Sequence, residues 1–401
     1  MAKVAIFEAE IDLTQEERDI AQNVHRFAEN VMRPVGRRLD QLPDPTQVIE
    51  PHSELWQVFN DYSKLGLDPF AMINSELTLY QQARLRSIIA EELGWGDAGL
   101  AVGLGVSIFP KVLALLSGKP EFMEKFGHDN IIGCWPITEP DHGSDVILYG
   151  GRFSEFPGKP NCIAIKDGDS FIIKGQKSAW VSNGTIAHAA ALFCAVDLGE
   201  GPIGLGGFLV PLDEPGVRKG KPLDKIGQRA LNQGEIYFDD VRLSKDHLVL
   251  PPGGEGLGMD VGLAQANALM GSTFVGVAQA AFDLALQYSK ERVQGGVPIF
   301  NHQSVKGRLF VMYRKLEAAR NLSRQAVLRN TLGMPSLPLA VASKVTATET
   351  AFEVASAALQ IYGGNGLSKD YPIEKLLRDA RASMIEDGCN EVLSLVAAER
   401  L

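Results

Sequence analysis

The sequence predicts an α+β protein in which a middle domain of short β-strands separates two helical domains. Apolar residues recur at helical spacing through the N-terminal part of the chain. After Cys134, glycine, proline and aspartate become frequent, and short apolar runs alternate with turn residues. Long alanine-rich helical stretches return after Leu257. These changes predict three domains, at residues 1–133, 134–250 and 251–401.

The first helix is predicted from a capping signal and a one-sided apolar pattern. Its apolar positions are Leu13, Ile20, Val24, Phe27 and Val31. Thr14 and Glu17 have the spacing of a capping box, in which each side chain accepts a hydrogen bond from the other residue's backbone N–H. Pro34 is expected to stop this helix, because proline lacks a backbone donor. The same periodicity predicts helices over residues 53–65 and 81–93.

The other two domains show different periodicities. Strands are predicted at residues 161–165, 170–173, 190–196, 207–210 and 235–238. Asp167 and Gly168 form a turn signal between the first two of these strands. Helices are predicted over residues 263–292, 304–329 and 340–362.

Composition and charge exclude several classes of function. The formal net charge of −10 gives no basic field that would attract a nucleic-acid backbone. The four cysteines stand without CxxC or metal-like spacing, so we expect neither disulfides nor a zinc site. No uninterrupted apolar stretch is expected to span a membrane, and residues 1–12 are acidic where a signal peptide would be basic. We therefore expect a soluble cytoplasmic protein without nucleic-acid or membrane partners.

Two segments of the β domain carry residues suited to binding a planar ligand. Residues 135–145 form a turn-rich stretch of hydroxyl and backbone donors. Such a stretch can lie against a cofactor and its pyrophosphate, or it can be a surface turn. Residues 175–184 place Trp180 two positions before Ser182. A tryptophan there either stacks on a cofactor or packs in the core.

Two C-terminal segments complete the set. Residues 360–372 contain three glycines within four positions, which permits a ligand to approach the backbone closely. This cluster is not a Rossmann fingerprint, because it follows a helical pattern without a parallel βαβ unit around it. Residues 384–391 bring three carboxylates together at a helix end, those of Glu386, Asp387 and Glu391.

In this order and at these spacings, the segments resemble the acyl-CoA dehydrogenase family over nearly the whole chain. Residues 138–145, Thr-Glu-Pro-Asp-His-Gly-Ser-Asp, match the family signature Thr-Glu-Pro-x-x-Gly-Ser-Asp, with Asp141 and His142 in place of the usual small residues. Residues 180–184 match the second signature, Trp-[Ile/Val]-[Thr/Ser]-Asn-Gly. Residues 360–380 match the C-terminal signature, Gln-x-x-Gly-Gly-x-Gly with a later Arg-Asp-Ala.

The resemblance implies a β-barrel or sandwich as the middle domain and a four-helix bundle as the C-terminal domain, which starts at residues 255–258. It also implies FAD bound between these domains, with Thr138 and Ser182 bonded to the flavin ring and Trp180 against its face. Arg292 resembles the family arginine that reaches the FAD pyrophosphate, often in a neighbouring subunit. The full implied set is Trp135, Thr138, Gly143, Ser144, Trp180, Ser182, Arg292, Gln303, Gln360, Gly363, Gly364, Cys389 and Asn390.

The closing pattern departs from the family at the catalytic base. The family usually has Tyr-Glu-Gly-Thr-Asn-Glu, whose first glutamate removes the α-proton of the acyl thioester, whereas residues 386–391 read Glu-Asp-Gly-Cys-Asn-Glu. The base position is therefore Asp387, whose reach is shorter by one methylene, about 1.5 Å. Glu386 replaces the usual aromatic residue and is either a second candidate base or only a helix-end residue. Asn267 stands where an arginine is common, and residues 264–270, where other branches carry their base, hold no carboxylate.

The activity implied by the resemblance is FAD-dependent α,β-dehydrogenation of an acyl-CoA to the enoyl-CoA. Asp387 would take the α-proton and flavin N5 the β-hydride, with an electron-transfer flavoprotein as electron acceptor and a homodimer or homotetramer as the assembly. A flavin oxidase of the nitroalkane oxidase type and non-oxidative CoA-thioester chemistry are the alternatives on this scaffold. The small residues from Gly94 to Gly105 either line an acyl pocket or allow close helix packing.

Overall fold

In this computed structural model, residues 12–67, 72, 75–148, 160–252 and 257–401 are described, and they form two helical regions around a mixed β-sheet. The N-terminal helices are α1 Gln15–Phe27, α2 Arg33–Asp40, α3 Glu54–Ser63, α4 Leu79–Gly96, α5 Ala98–Val106, α6 Phe109–Leu116 and α7 Pro120–Phe126. The strands of the sheet are β1 Gly133–Cys134, β2 Ile163–Asp167, β3 Ser170–Lys177, β4 Ala189–Asp197, β5 Pro202–Pro211, β6 Val217–Lys219, β7 Ile236–Ser244 and β8 Leu248–Leu250.

The remaining elements belong to the C-terminal region, except for the short helix α8. They are α8 Asp145–Leu148, α9 Leu257–Glu291, the hairpin β9 Val293–Gln294 and β10 Val297–Pro298, α10 Gln303–Leu332, α11 Leu337–Tyr362, α12 Ile373–Ser383 and α13 Asn390–Ala398. Two predictions fall on residues that are not described. The acidic N-terminus includes residues 1–11, and the predicted start of the third domain includes residues 255–256.

The first helix begins as predicted but does not end as predicted. Thr14 Oγ1 accepts a hydrogen bond from the backbone of Glu17 at 3.3 Å, and the Glu17 carboxylate accepts one from the backbone of Thr14 at 2.8 Å. The expectation that Pro34 stops the helix is wrong. The chain continues through a π-helical turn, Ala28–Met32, into α2. Pro34 lies in the first turn of α2, where the missing N–H of proline costs little.

The sheet contains all five predicted strands, as β2, β3, β4, β5 and β7. Its strand order is β6-β7-β3-β2-β4-β5-β8, and β1 pairs with β4. The predicted Asp167–Gly168 turn joins β2 and β3, which pair antiparallel, whereas β2 and β4 run parallel. A core of alternating apolar side chains, among them Phe171, Phe208 and Phe238, lies inside the sheet. The α+β fold class predicted from the sequence is confirmed.

A reciprocal pair of glycines joins the two helical regions. Helix α4 packs against α9, which also packs against α10 and α11. A Cβ on Gly94 would stand 1.9 Å from the carbonyl oxygen of Thr273, and a Cβ on Gly276 would stand 1.9 Å from that of Glu91. The backbones of α4 and α9 therefore touch at both positions. The sequence predicts that the small residues from Gly94 to Gly105 either line an acyl pocket or allow close helix packing. At Gly94, the structure shows close helix packing.

Within the described residues, two segments are apolar and long enough to cross a membrane by length and composition alone. They are Ala98–Leu116 and Met259–Glu291. The first is divided between α5 and α6, and the second packs against α4, α10 and α11. Packing between helices accounts for their apolar composition.

A buried lysine connects all three regions of the chain. The ammonium of Lys375 on α12 donates to Asp97 Oδ2 at 2.6 Å and to Asp379 Oδ2 at 2.5 Å. The other oxygen of Asp379 accepts the backbone N–H of Gln228, from the loop between β6 and β7, at 2.5 Å. Burial lowers the pKa of Lys375, but the carboxylates of Asp379, Asp97 and Asp40 outweigh it and raise this pKa. The ammonium is therefore charged and paired.

The glycine contact predicts a contrast between two alanine substitutions. Gly94→Ala should lower the free energy of unfolding by about 2–3 kcal/mol, because its Cβ would overlap a backbone carbonyl that cannot move aside. Gly105→Ala is the matched control, because a Cβ at Gly105 meets no atom within 4 Å. Since alanine favours a helix interior, the control should gain about 0.5–1 kcal/mol. Chemical denaturation of both variants measures the difference, and equal stability would refute the packing role of Gly94.

Candidate active site

A buried lysine holds the loop of the first signature, residues 138–145, by hydrogen bonds. Lys177, the last residue of β3, donates to the carbonyl of Ile137 and to Glu139 Oε1, both at 2.8 Å. The backbone of Ser178 then donates to the carbonyl of Thr138 at 3.0 Å. The loop that carries Thr138 therefore lies beside the loop that carries Trp180. The sequence analysis did not single out Lys177, although it shares the buried face of β3 with Phe171 and Ile173.

The second signature forms a rigid turn that leaves its tryptophan open. The Trp180 side chain is 60% exposed, as suits a ring that covers a planar ligand. Gln233 Nε2 donates to the Trp180 carbonyl at 3.2 Å and to Ser182 Oγ at 3.3 Å. Asn183 is buried with φ of 61° and donates from Nδ2 to the Gly103 carbonyl at 2.8 Å. The sequence analysis missed Asn183 and Gln233, and only the Asn-Gly dipeptide signalled the turn.

The first signature also meets the closing pattern. The backbone N–H of Cys389 donates to Ser144 Oγ at 3.1 Å across 245 residues of sequence. Asp145 fixes the same loop, since its carboxylate accepts the Gly143 backbone N–H at 2.6 Å and contacts His142 Nδ1 at 2.9 Å. The two predicted segments therefore share one site.

The candidate base lies on a tight turn between α12 and α13. Asp387 has φ of 58° and Gly388 has φ of 91°. Burial raises the pKa of Asp387, whereas the charge of Lys344 lowers it. A Cβ on Gly388 would stand 2.9 Å from Leu393, so glycine is the residue that fits there. Asp387 as a whole residue is half-buried.

The second carboxylate of the turn is tied to the middle domain. Glu386 Oε1 accepts a hydrogen bond from Gln228 Nε2 at 2.5 Å. Burial is the main cause that raises the pKa of Glu386 to about 7; the charge of Asp387 adds to the rise, and Gln228, Lys344 and Lys225 oppose it. At neutral pH this group is therefore partly protonated. The sequence indicated both carboxylates but gave no signal for Gln228.

Beneath the turn, one lysine and one asparagine close a buried polar cluster. Lys344 donates to the Gly388 carbonyl and to Asn390 Oδ1, both at 2.9 Å. Asn390 in turn donates to Thr348 Oγ1 at 3.0 Å. Asn267 is also fully buried, and within the described part of the chain its Oδ1 accepts no hydrogen bond.

A separate cavity of about 600 Å³ gathers the residues predicted for the phosphate end of the cofactor. Its lining includes Arg292, Arg308, Gln360, Gly363 and Gly364. A Cβ at either glycine would meet no atom within 4 Å, so the backbone there faces open space. Two arginines beside exposed backbone suit a pyrophosphate. The predicted Gln303 is exposed and is not part of this lining, although the adjacent Ser304 is.

These features fit a flavin dinucleotide in two parts. The exposed Trp180 ring suits the flavin, and the arginine-lined cavity suits the pyrophosphate and adenosine. Trp135, also predicted to bind the cofactor, packs against an aromatic side chain. Its ring stacks on Phe109 at 4.3 Å, and its buried Nε1 has no partner within the described residues.

Comparisons with known proteins agree with this geometry. The family model of the acyl-CoA dehydrogenase middle domain matches residues 134–241, and that of the C-terminal domain matches residues 257–401. The mitochondrial short-chain specific acyl-CoA dehydrogenase of Rattus norvegicus is 30% identical over 98% of this chain and 91% of its own length. The short-chain specific acyl-CoA dehydrogenase of Clostridium acetobutylicum is 26% identical over 98% of this chain and 99% of its own.

Solved structures show the same similarity. Butyryl-CoA dehydrogenase from Megasphaera elsdenii has a TM-score of 0.84 and 26% identity, and the match covers 98% of this chain and 99% of that one. Glutaryl-CoA dehydrogenase from Mycobacterium smegmatis, solved in complex with FADH2, shares the fold with a TM-score of 0.80 at 23% identity, over 97% of this chain and 95% of that one.

The cavity predicts a specific loss of cofactor affinity. Arg292→Gln should weaken FAD binding at least about tenfold, because a charge-assisted hydrogen bond to a phosphate is lost. Arg314→Gln is the control, since this exposed arginine on α10 does not line the cavity. Titration of apoprotein with FAD, followed by quenching of flavin fluorescence, measures both. Equal affinities would show that Arg292 does not hold the pyrophosphate.

Proposed function

We propose that this chain, which belongs to the acyl-CoA dehydrogenase family and is an FAD-dependent acyl-CoA dehydrogenase, uses Asp387 to remove the α-proton of a short acyl-CoA thioester. The hydrogen bond between Cys389 and Ser144 carries this proposal, because it places the turn that bears Asp387 against the flavin-binding signature. FAD supplies the hydride acceptor when it is bound. The protein supplies the base and its orientation.

The backbone of the turn suits an aspartate. Aspartate is one of the few residues that adopt a left-handed backbone readily, and Asp387 does so with φ of 58°. Gly388 continues the turn in the same region with φ of 91°. A shorter base needs either a different substrate position or an adjusted backbone, because a misplacement of about 1 Å costs about 100-fold in rate.

The ionisation of Asp387 fits a general base. Burial raises the pKa of its carboxyl from the ordinary value toward the working pH. Only the ionised form accepts a proton, so the rate of proton removal rises as the pH rises through that pKa. We also propose that the backbone N–H of Asp387 polarises the thioester carbonyl, which acidifies the α-hydrogen.

Glu386 is the weaker candidate for the base. Its carboxyl already accepts the Gln228 amide, and with a pKa raised to about 7 by burial it is partly protonated at neutral pH. A pKa near the working pH suits a general base, so the case against Glu386 is its geometry: the Gln228 amide already occupies one oxygen of its carboxyl.

The substrate class is proposed from the relatives. The proteins of Rattus norvegicus and Clostridium acetobutylicum are short-chain specific acyl-CoA dehydrogenases, and the Megasphaera elsdenii structure is a butyryl-CoA dehydrogenase. An acyl group of about four carbons is therefore the proposed substrate for this chain. Branching or a ring in the acyl group is left to experiment.

The proposed electron acceptor is an electron-transfer flavoprotein. A structure described with the electron transferring flavoprotein of Acidaminococcus fermentans has a TM-score of 0.83 and 25% identity to this chain, over 98% of this chain and 99% of that one. The proposed assembly is a homodimer or homotetramer. Phe310, Val311 and Tyr313 on α10 are 65%, 45% and 48% exposed, and a second copy would cover them.

Replacement of the base gives the first test. Asp387→Asn should slow anaerobic flavin reduction by butyryl-CoA at least about 1,000-fold, because the amide cannot accept a proton. The bound FAD should remain, since Asp387 is not needed to hold it. Glu386→Gln is the matched variant and should reduce flavin within about tenfold of the wild type. Undiminished reduction in Asp387→Asn, with loss in Glu386→Gln, would transfer the role of base to Glu386.

A substrate panel gives the second test. Butyryl-CoA should bleach the flavin at least about tenfold faster than octanoyl-CoA, since a pocket discriminates on this scale per added methylene. Stopped-flow absorbance under anaerobic conditions measures the rates, with nitroethane included. Oxygen-dependent turnover of nitroethane with release of peroxide, in the absence of a CoA thioester, would replace the dehydrogenase assignment by an oxidase.

A further inference from the structure

We propose that Lys344 is the positioning residue of the catalytic turn: its ammonium holds the turn in place by hydrogen bonds, and its positive charge keeps Asp387 ionised. Lys344 would act through Asp387 and would not touch the substrate. This inference rests on the proposed role of Asp387 as the base.

The geometry of the clamp is direct. Lys344 lies on α11 and its side chain is fully buried. Its Nζ donates to the carbonyl oxygen of Gly388 and to Oδ1 of Asn390, both at 2.9 Å. These acceptors lie one and three residues beyond Asp387. One ammonium therefore holds Gly388 and Asn390, and the hydrogen bond from Cys389 to Ser144 holds the residue between them.

The acceptors of Lys344 set it apart from two other buried lysines of this protein. Lys177 donates to the carboxylate of Glu139, and Lys375 donates to two aspartates. Both hydrogen bonds of Lys344 go instead to neutral oxygens. A buried ammonium needs a balancing anion, because desolvation of an unpaired charge is costly. Lys344 thus depends for its balance on carboxylates that it does not bond directly, and Asp387 is foremost among them.

Among the described residues, the titratable groups that act on Lys344 are Asp387, Glu386, Cys389 and Glu391. Glu386 and Asp387 lie on the turn itself, and Glu391 lies in the first turn of α13. Lys225, from the middle domain, lies close enough to Glu386 for their charges to interact. Within the described residues, its ammonium donates hydrogen bonds to two neutral oxygens, the carbonyl of Leu231 and the side-chain oxygen of Gln233. The charge of Lys344 acts on both carboxylates of the turn, and Lys225 acts with it on Glu386. In the part of the chain that the structure describes, neither lysine forms an ion pair with a carboxylate. Lys344 is the lysine that lowers the pKa of Asp387.

The charge of Lys344 predicts in which direction the pKa of Asp387 changes when that charge is removed. Burial alone raises the pKa of Asp387, and the charge of Lys344 opposes this rise. Removal of the charge should therefore raise the pKa of Asp387, so that the base becomes ionised only at higher pH. Burial also lowers the pKa of Lys344 to about 8, so above that pH the wild type itself loses part of this support.

The experiment measures proton removal without hydride transfer. The probe is 3-thiabutanoyl-CoA, whose α-hydrogens are acidic but which has sulfur in place of the β-carbon and so cannot give up a β-hydride. Exchange of its α-hydrogens with solvent deuterium, catalysed by the FAD-loaded protein, is followed by NMR across a pH series. In the wild type, exchange should rise with pH to a plateau, and the midpoint reports the ionisation of the base.

Three variants separate charge from packing. Lys344→Met should shift the midpoint upward by about one pH unit or more, because a neighbouring cation lowers a carboxyl pKa by that amount. Lys344→Arg should return the midpoint toward the wild-type value, since the charge is kept. Thr348→Val removes a hydrogen bond to Asn390 without changing any charge, and its midpoint should be unchanged. If Lys344→Met does not fold, the neutral Lys344→Gln makes the same comparison.

The outcomes distinguish this inference from the proposed function. An unshifted midpoint in a folded, neutral Lys344 variant, or an equal shift in Thr348→Val, would overturn the role of Lys344. Exchange in Asp387→Asn at the wild-type rate would instead overturn Asp387 as the base. A second readout uses the apoprotein. Amide hydrogen exchange of residues 385–391 should be faster in Lys344→Met than in the wild type, and unchanged protection there would refute the clamp.

Discussion

The buried ammonium of Lys375 is the interaction on which the arrangement of the three regions depends. It joins Asp97, at the start of α5, to Asp379 on α12, and Asp379 holds the loop of Gln228 from the middle domain. Loss of one partner from such a buried pair costs about 3–5 kcal/mol, because the remaining charge stays uncompensated. The side chain of Gln228 also donates a hydrogen bond to Glu386, the residue before the candidate base. A buried ion cluster is thus connected by hydrogen bonds to the turn that carries Asp387.

The turn that carries Asp387 forms hydrogen bonds with several groups that are distant from it in sequence. Ser144 and Gln228 come from the middle domain, and Lys344 comes from α11 beneath the turn. The left-handed backbone of Asp387 is compatible with the short side chain of an aspartate. Preorganisation of this kind matters for a base, since the position of its carboxylate relative to the α-carbon governs the rate.

The residues predicted to bind the cofactor fall into two groups with different physical characters. The loops around Thr138 and Trp180 are pinned by the buried side chains of Lys177 and Asn183, which leaves the tryptophan ring open for a planar ligand. The cavity at Arg292 is open and lined by exposed backbone and arginines. One group offers a rigid surface for a ring system, and the other offers positive charge for phosphates.

The sequence by itself determined the order of the elements, the capping box at Thr14, the five strands and the positions of the signatures. The elements and the capping box depend on periodicity and on residues that lie within a few positions of each other. The signatures were identified by their resemblance to a family. Only the tertiary structure decided that Pro34 does not end a helix, that Gly94 serves packing, and which lysine faces which carboxylate. The bond from Cys389 to Ser144 spans 245 residues, and no local pattern encodes such a contact. Long-range pairing follows from how helices and sheet pack, and that is settled only when the whole chain has folded.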